Sequence, residues 1–153
     1  MDVLRDVRKA AYWYSKAALQ GNANAMVNLG YMNYKIFHNL SEAAQLFADA
    51  ANKGSAQAKF YLGRMFYEGK FDYPEKSKTN DRIEAAKWYL KAAKQGLTEA
   101  QFKLGVMYQQ GKGVTKDLAE AAKWFGLAAK QGDTEAARQL AKLKKSLSSN
   151  EEG

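Results

Sequence analysis

The chain has 153 residues, 46% of them hydrophobic and 26% charged, the make-up of one globular domain. With no cysteine and a single histidine, it offers no disulfide framework, no thiol chemistry and almost nothing from which to build a hydrolytic triad or a zinc site. The formal charge of +8 leaves open an acidic partner, an anionic surface, nucleic acid or a solvated lysine-rich exterior, and the regular placement of lysines along helices favours the last.

The first predicted helix covers residues 3–19, and its last part belongs to AAYWYSKAALQG, Ala10 to Gly21. The N-terminal stretch is charged and reads as no secretory signal. A second helix over 24–37 carries ANAMVNLG, closing on Gly30. His38 follows in a short turn and reads as a surface residue. The third helix, 41–52, lies within AAQLFADAANKG up to Gly54, with Ser41 as its N-cap and Glu42 in its first turn. That reading of Asn39-Leu40-Ser41 is preferred to the glycosylation acceptor the same residues spell.

The fourth helix, 56–68, carries AQAKFYLG up to Gly63. GRMFYEGKF at 63–71 resembles a phosphate-binding loop only on the surface. It has one residue too many between its glycines and Phe71 where Ser or Thr is needed. Residues 70–80 hold the only proline, Pro74, and form the longest linker. Phe71 and Tyr73 beside Lys70, Lys76 and Lys78 would make a secondary contact there, though a tolerated surface insertion is the preferred reading.

The fifth helix, 80–94, shows Ile83, Ala86, Leu90 and Ala93 at helical spacing, widened by Ala85, Trp88, Tyr89 and Ala92. Asp81 and Glu84 have capping-box spacing, and Gly96 suits the left-handed position after a helix end. In the sixth, 98–110, Ala100, Leu104 and Met107 share a face, and GKGV at 111–114 permits a tight reversal. The seventh, 117–130, repeats the start signal with Asp117 and Glu120 and stops at Gly132. The eighth, 134–147, contains EAARQLA and precedes a polar tail, 148–153.

The segments ending at Gly21, Gly54, Gly96 and Gly132 are copies of one another, 33, 42 and 36 residues apart. Fixed-period self-similarity marks a repeat architecture in which stacked units build a continuous core. The reading is an all-α solenoid of antiparallel helix pairs with about eight helices. It forms one domain over 1–147: a half-repeat 1–21, repeats 22–54, 55–96 and 97–132, and a capping helix 133–147. Trp13, Trp88 and Trp124 recur at equivalent positions and read as core, as do Met32, Met65 and Met107. The helix at 3–19 is the second of a pair whose first is missing. Removal of upstream repeats is the preferred explanation, with an edge covered by something else as the other.

The stretch LGVMYQQGKGVTKDLAEAAKWFGLAAKQGDTEA resembles a near-consensus Sel-one-like repeat (SLR), a relative of the tetratricopeptide repeat. Ala100, Leu104, Gly105, Tyr108, Gly111, Gly113, Val114, Asp117, Ala121, Trp124, Phe125, Ala128, Ala129 and Gly132 all fit the pattern of that family. Departures are Asn33 at the tyrosine position, a shorter turn KIFHNL without the paired glycines, an insertion after Gly63, Leu46 for tryptophan and Ala141 for glycine.

The resemblance implies a right-handed α/α superhelix, a protein-interaction adaptor of bacterial type, no catalysis and no cofactor. It further implies that the first helix of each pair lines a concave groove. Counted from the Leu-Gly pairs, the inward residues are Val27, Tyr31 and Tyr34, then Phe60, Arg64 and Tyr67, then Phe102, Val106 and Gln109. Arg138, Lys142 and Lys145 extend the surface. Tyr31, Arg64 and Tyr67 are the strongest candidates, since the motif does not ask for them, whereas Phe60 and Phe102 equally suit bracing of adjacent repeats. The expected partner is a protein or peptide with apolar anchors and an acidic flank. Nucleic acid or another polyanion is the alternative. It is disfavoured because the basic residues do not recur at groove positions. Self-association through the edge helix 3–19 is a further expectation. The compartment is open: cytoplasmic as written, periplasmic or secreted if an upstream signal was removed.

Overall fold

A computed structural model describes residues 2–71 and 78–151, the side chains of 78 and 79 excepted. Eight helices occur among the described residues: α1 (Val3–Leu19), α2 (Ala23–Lys35), α3 (Leu40–Asn52), α4 (Ala56–Tyr67), α5 (Lys78–Lys94), α6 (Thr98–Gln110), α7 (Leu118–Lys130) and α8 (Thr134–Glu151). Each packs mainly on the helix before it and the helix after it, the stacking expected of an antiparallel α solenoid. No described helix is long and apolar enough to cross a membrane.

Side-chain caps start most helices. Asp2, Asn22, Ser55, Asp117 and Asp133 each accept a hydrogen bond from the backbone N–H three residues on, at 2.9–3.2 Å. Three expected details change. The cap of α3 is Asn39, whose Oδ1 accepts from the Glu42 N–H at 3.3 Å, so the helix starts before Ser41. Asp81 does not begin α5, which starts at Lys78; its Oδ2 is buried and unbonded. Glu120 closes no reciprocal box with Asp117, because the Asp117 N–H donates to the Tyr108 carbonyl at 3.0 Å while Glu120 Oε2 accepts from Trp124 Nε1 at 3.2 Å. The stops hold: Gly21, Gly54, Gly96 and Gly132 all have φ between +84° and +98°. α2 ends two residues earlier than expected and α8 runs to Glu151.

The glycine of each Leu-Gly pair has a steric reason. A Cβ on Gly30, Gly63 or Gly105 would lie 2.8–2.9 Å from the ring of Phe47, Tyr89 or Phe125 in the following helix. Glycine thus lets the two helices of a unit close on an aromatic ring. Phe47, Tyr89 and Phe125 are among the most deeply buried side chains. Met32, Met65, Met107 and Trp124 are buried as expected, and Trp88 is half-buried. Trp13 breaks the pattern. It is 57% exposed, because no helix precedes α1 to cover it among the described residues.

Candidate functional site

The first helices of successive units touch through side chains on one shared face. The Tyr31 ring of α2 lies 5.5 Å from that of Tyr61 on α4. The Tyr34 hydroxyl donates a short hydrogen bond to Glu68 Oε2, just past the end of α4. Gln109 of α6 donates to Gln139 of α8 at 3.5 Å. Helical spacing puts Tyr31 and Tyr34, and Arg64 and Glu68, on that face together.

Glu68 is the hub. Its Oε1 accepts from Arg64 Nε at 2.8 Å while its Oε2 is held by Tyr34. The Arg64 guanidinium sits 5.9 Å from the Tyr34 ring centroid, and Lys35 Nζ lies 4.8 Å from the same ring. Burial pushes the Tyr34 hydroxyl well above its ordinary range, helped by the bond to Glu68 and its charge. For Glu68, burial works to raise the carboxyl, but the bonds from Arg64 and Tyr34 and the charges of Arg64 and Lys35 hold it below its ordinary value. At neutral pH the network is therefore a charged Arg64–Glu68 pair tied to a neutral tyrosine. Arg64 is held at Nε yet keeps 35% of its side chain exposed.

The expected groove residues divide. Tyr31, Arg64 and Tyr67 offer surface, with Tyr31 41% exposed. Tyr34 and Val27 belong to the core cluster of the first units, at 4% and 7% exposed. Phe60 and Phe102 are half-buried and lean on rings of their own repeats, Tyr89 at 5.5 Å and Phe125 at 5.7 Å. Val106 packs beneath, and with Tyr67, Tyr89, Lys103 and Met107 it lines a cavity of about 50 Å³ that carries the face from α4 to α6. Arg138 is paired with Glu135, and Lys142 and Lys145 stand exposed on α8. Of the linker residues, Tyr73 and Lys76 lie outside the described residues, as does the side chain of Lys78. The Phe71 ring packs, tilted, against that of Phe66, with centroids 4.2 Å apart.

Sequence reasoning missed Tyr61, Glu68 and Lys103. Tyr61 had a signal: Asn28, Lys103 and Gln139 hold the equivalent positions, so an aromatic there departs from its own repeats. Glu68 had one too, four residues after Arg64, the spacing of a helical ion pair. Among the described residues no three His, Asp or Glu side chains group to hold a metal.

A family model described as Sel1 repeat matches four consecutive stretches, residues 1–22, 23–55, 56–97 and 98–133. No curated protein matched the chain. Among solved structures, the chain is similar to a protective antigen of uropathogenic Escherichia coli with an SLR fold (33% identity, TM-score 0.79, 91% of this chain and 29% of that one). It is similar to a Sel1 repeat protein of Oxalobacter formigenes (30% identity, TM-score 0.75, 89% and 54%). It is also similar to cysteine rich protein B of Helicobacter pylori (28% identity, TM-score 0.69, 90% and 97%). The chain thus spans under a third of the first of these and about half of the second. Four matched units, three of them closed by a Leu-Gly and aromatic pair, on a fold shared with these bacterial arrays, mean that the chain belongs to the Sel1 repeat family, whose repeats typically serve protein–protein interaction.

Proposed function

We propose that the chain is an adaptor that binds a protein or peptide on the face shared by α2, α4 and α6, centred on Tyr31, Tyr61, Arg64 and Tyr67. The observation that carries this reading is the Tyr34–Glu68–Arg64 network, which joins two repeats and fixes an arginine among tyrosines. A held arginine loses less entropy when it binds than a free one, and its planar fork matches a carboxylate. The tyrosines supply contact area for apolar or aromatic anchors at small entropic cost. Lys35 and Lys103 add positive charge at either end of this patch. The preferred ligand is an extended or helical peptide with an acidic residue beside one or two apolar anchors.

The test is to pan a random peptide library on the wild-type chain and on a Tyr31→Ala, Arg64→Ala, Tyr67→Ala variant with unchanged helical signal. The expected result is enrichment of acidic-plus-apolar sequences by wild type, with affinity lost roughly tenfold or more in the variant. Enrichment indifferent to the variant would move the site elsewhere. Absence of peptide binding, with salt-sensitive capture of a polyanion instead, would replace this reading with the basic-surface alternative.

A further inference from the structure

A short acceptor side chain stands at the head of three second helices, and one of the three has changed its use. Asn39, Asp81 and Asp117 hold equivalent positions, each three residues before a glutamate and four before an alanine pair. Asn39 and Asp117 cap α3 and α7, accepting from the backbone N–H of those glutamates at 3.3 and 3.0 Å. Asp81 has lost that duty. α5 begins at Lys78, so the matching N–H belongs to the helix ladder and the carboxylate is left inside the first turn. Asp81 is nonetheless only 9% exposed, and its Oδ2 accepts no hydrogen bond. Among the described residues no cation pairs with it. A buried carboxylate oxygen without a donor is costly, so the position asks for a donor from outside.

The longer connection before α5 makes room for one. At the α6–α7 junction the Asp117 N–H donates to the Tyr108 carbonyl at 3.0 Å and draws helix end and helix start together. Among the described residues Asp81 makes no such bond to Phe66, the equivalent of Tyr108. A cleft of about 210 Å³ opens instead, lined by Phe66, Tyr67, Glu68 and Gly69 at the end of α4 and by Asp81 and Arg82 of α5. One water needs only roughly 10–15 Å³. The first turn of α5 is held from the far side, where Gly113 of the next repeat lies so close that a Cβ on it would clash with the Arg82 carbonyl. The two carboxylates of the cleft differ. Glu68 is taken up by Arg64 and Tyr34, whereas Asp81 Oδ2 has no partner. Tyr67 is the partition: it lines this cleft and also the cavity of about 50 Å³ that leads to Lys103 and Val106.

We propose that the α4–α5 cleft binds a cationic side chain, arginine or lysine, with Asp81 accepting its hydrogen bond and the Tyr67 ring forming its wall. The proposal deepens the adaptor reading and rests on it for its ligand. The bound peptide lies across Tyr67, its acidic and apolar residues toward Arg64 and Lys103 and a basic residue at the α4–α5 edge. Opposite charges on the two sides of one tyrosine set the direction in which the peptide runs.

Butylguanidinium probes the cleft directly, with its uncharged analogue butylurea as control. Titrated into the isotope-labelled full chain at constant ionic strength, butylguanidinium should shift the amide NMR signals of Gly69, Asp81 and Arg82 saturably, and butylurea should not. Asp81→Asn keeps the shape of the side chain and removes its charge. It should weaken butylguanidinium roughly tenfold or more, with amide signals elsewhere unmoved to show that the variant is folded. No shift in wild type overturns the proposal. So does an equal response to butylurea, or unchanged affinity in folded Asp81→Asn. The peptide library gives the second readout. Sequences enriched on wild type should carry arginine or lysine at a fixed distance from the apolar anchor, and the preference should vanish on Asp81→Asn. Peptides enriched without that residue overturn this proposal and leave the adaptor reading standing. Butylguanidinium seated on Asp81 with no peptide captured supports the cation cleft and overturns the adaptor reading.

Discussion

The first-helix face has two unlike halves. On α2 and α4, Tyr31 meets Tyr61 across the repeat boundary, and Glu68 ties Tyr34 to Arg64. On α6 and α8, a longer polar link joins Gln109 to Gln139 at 3.5 Å, and Arg138 turns back to Glu135 of its own helix. Beneath both halves lies the same frame, with Gly63 against Tyr89 and Gly105 against Phe125. The difference shows that a repeat fixes its buried contacts and leaves its surface free to specialise. A recognition surface is therefore to be sought where a unit departs from its own siblings.

The common frame is where substitution should cost most. Gly63→Ala and Gly105→Ala each force a methyl to within 3 Å of a buried ring. Each should lose roughly 1–3 kcal/mol to overpacking, offset by up to about 1 kcal/mol of helix propensity. Urea unfolding of the two variants checks this. Equal losses would mean the halves share one frame, and unequal losses would break the comparison at its base.

A smaller effect separates the halves. Glu68→Gln should cost about 1 kcal/mol at neutral pH, because the partly solvated Arg64 and Tyr34 lose their charged acceptor. The matching change Glu135→Gln on exposed α8 should leave the unfolding midpoint where it was. The Glu68 carboxyl is held below its ordinary 4.5, so its stabilisation is present above that value and is lost as pH falls through its lowered folded value. The gap between wild type and Glu68→Gln should therefore close in acid. A gap that persists at a pH where titration shows the Glu68 carboxyl to be protonated would mean that the carboxylate's charge does not matter.

The smallest expected effect tests a cap. Asn39→Ala should cost about 1 kcal/mol and Ser41→Ala almost nothing, read as thermal or urea midpoints. The reverse order would restore the expected start of α3.

Much of this was legible in the residues. Turn glycines and the recurring alanine-aromatic stretch located every helix to within a few residues, because the same steric demands recur in each unit. The concave reading named Tyr31, Arg64 and Tyr67 by asking what the motif does not require. It overlooked Glu68 because a carboxylate near a helix end looks like ordinary surface until its partners on α2 are known. It treated Trp13 as core because periodicity reports a position in a repeat, whereas burial depends on which neighbours are there. Asn39 was passed over for Ser41 because both are good caps and only the backbone path decides between them.

The turn glycines are unevenly spaced, yet the turns that hold them are all the same length: Leu19 to Ala23, Asn52 to Ala56, Lys94 to Thr98 and Lys130 to Thr134. That edge is also stitched from unit to unit. Gln95 Nε2 donates to the Gly54 carbonyl at 2.8 Å, and Gln131 Nε2 to the Gly96 carbonyl at 2.9 Å. All variation in unit length falls on the opposite edge. In mechanical terms the array has a spine of fixed pitch and a hem of variable length. Residues inserted between α4 and α5 therefore lengthen the hem and leave the three-residue turns of the spine unchanged.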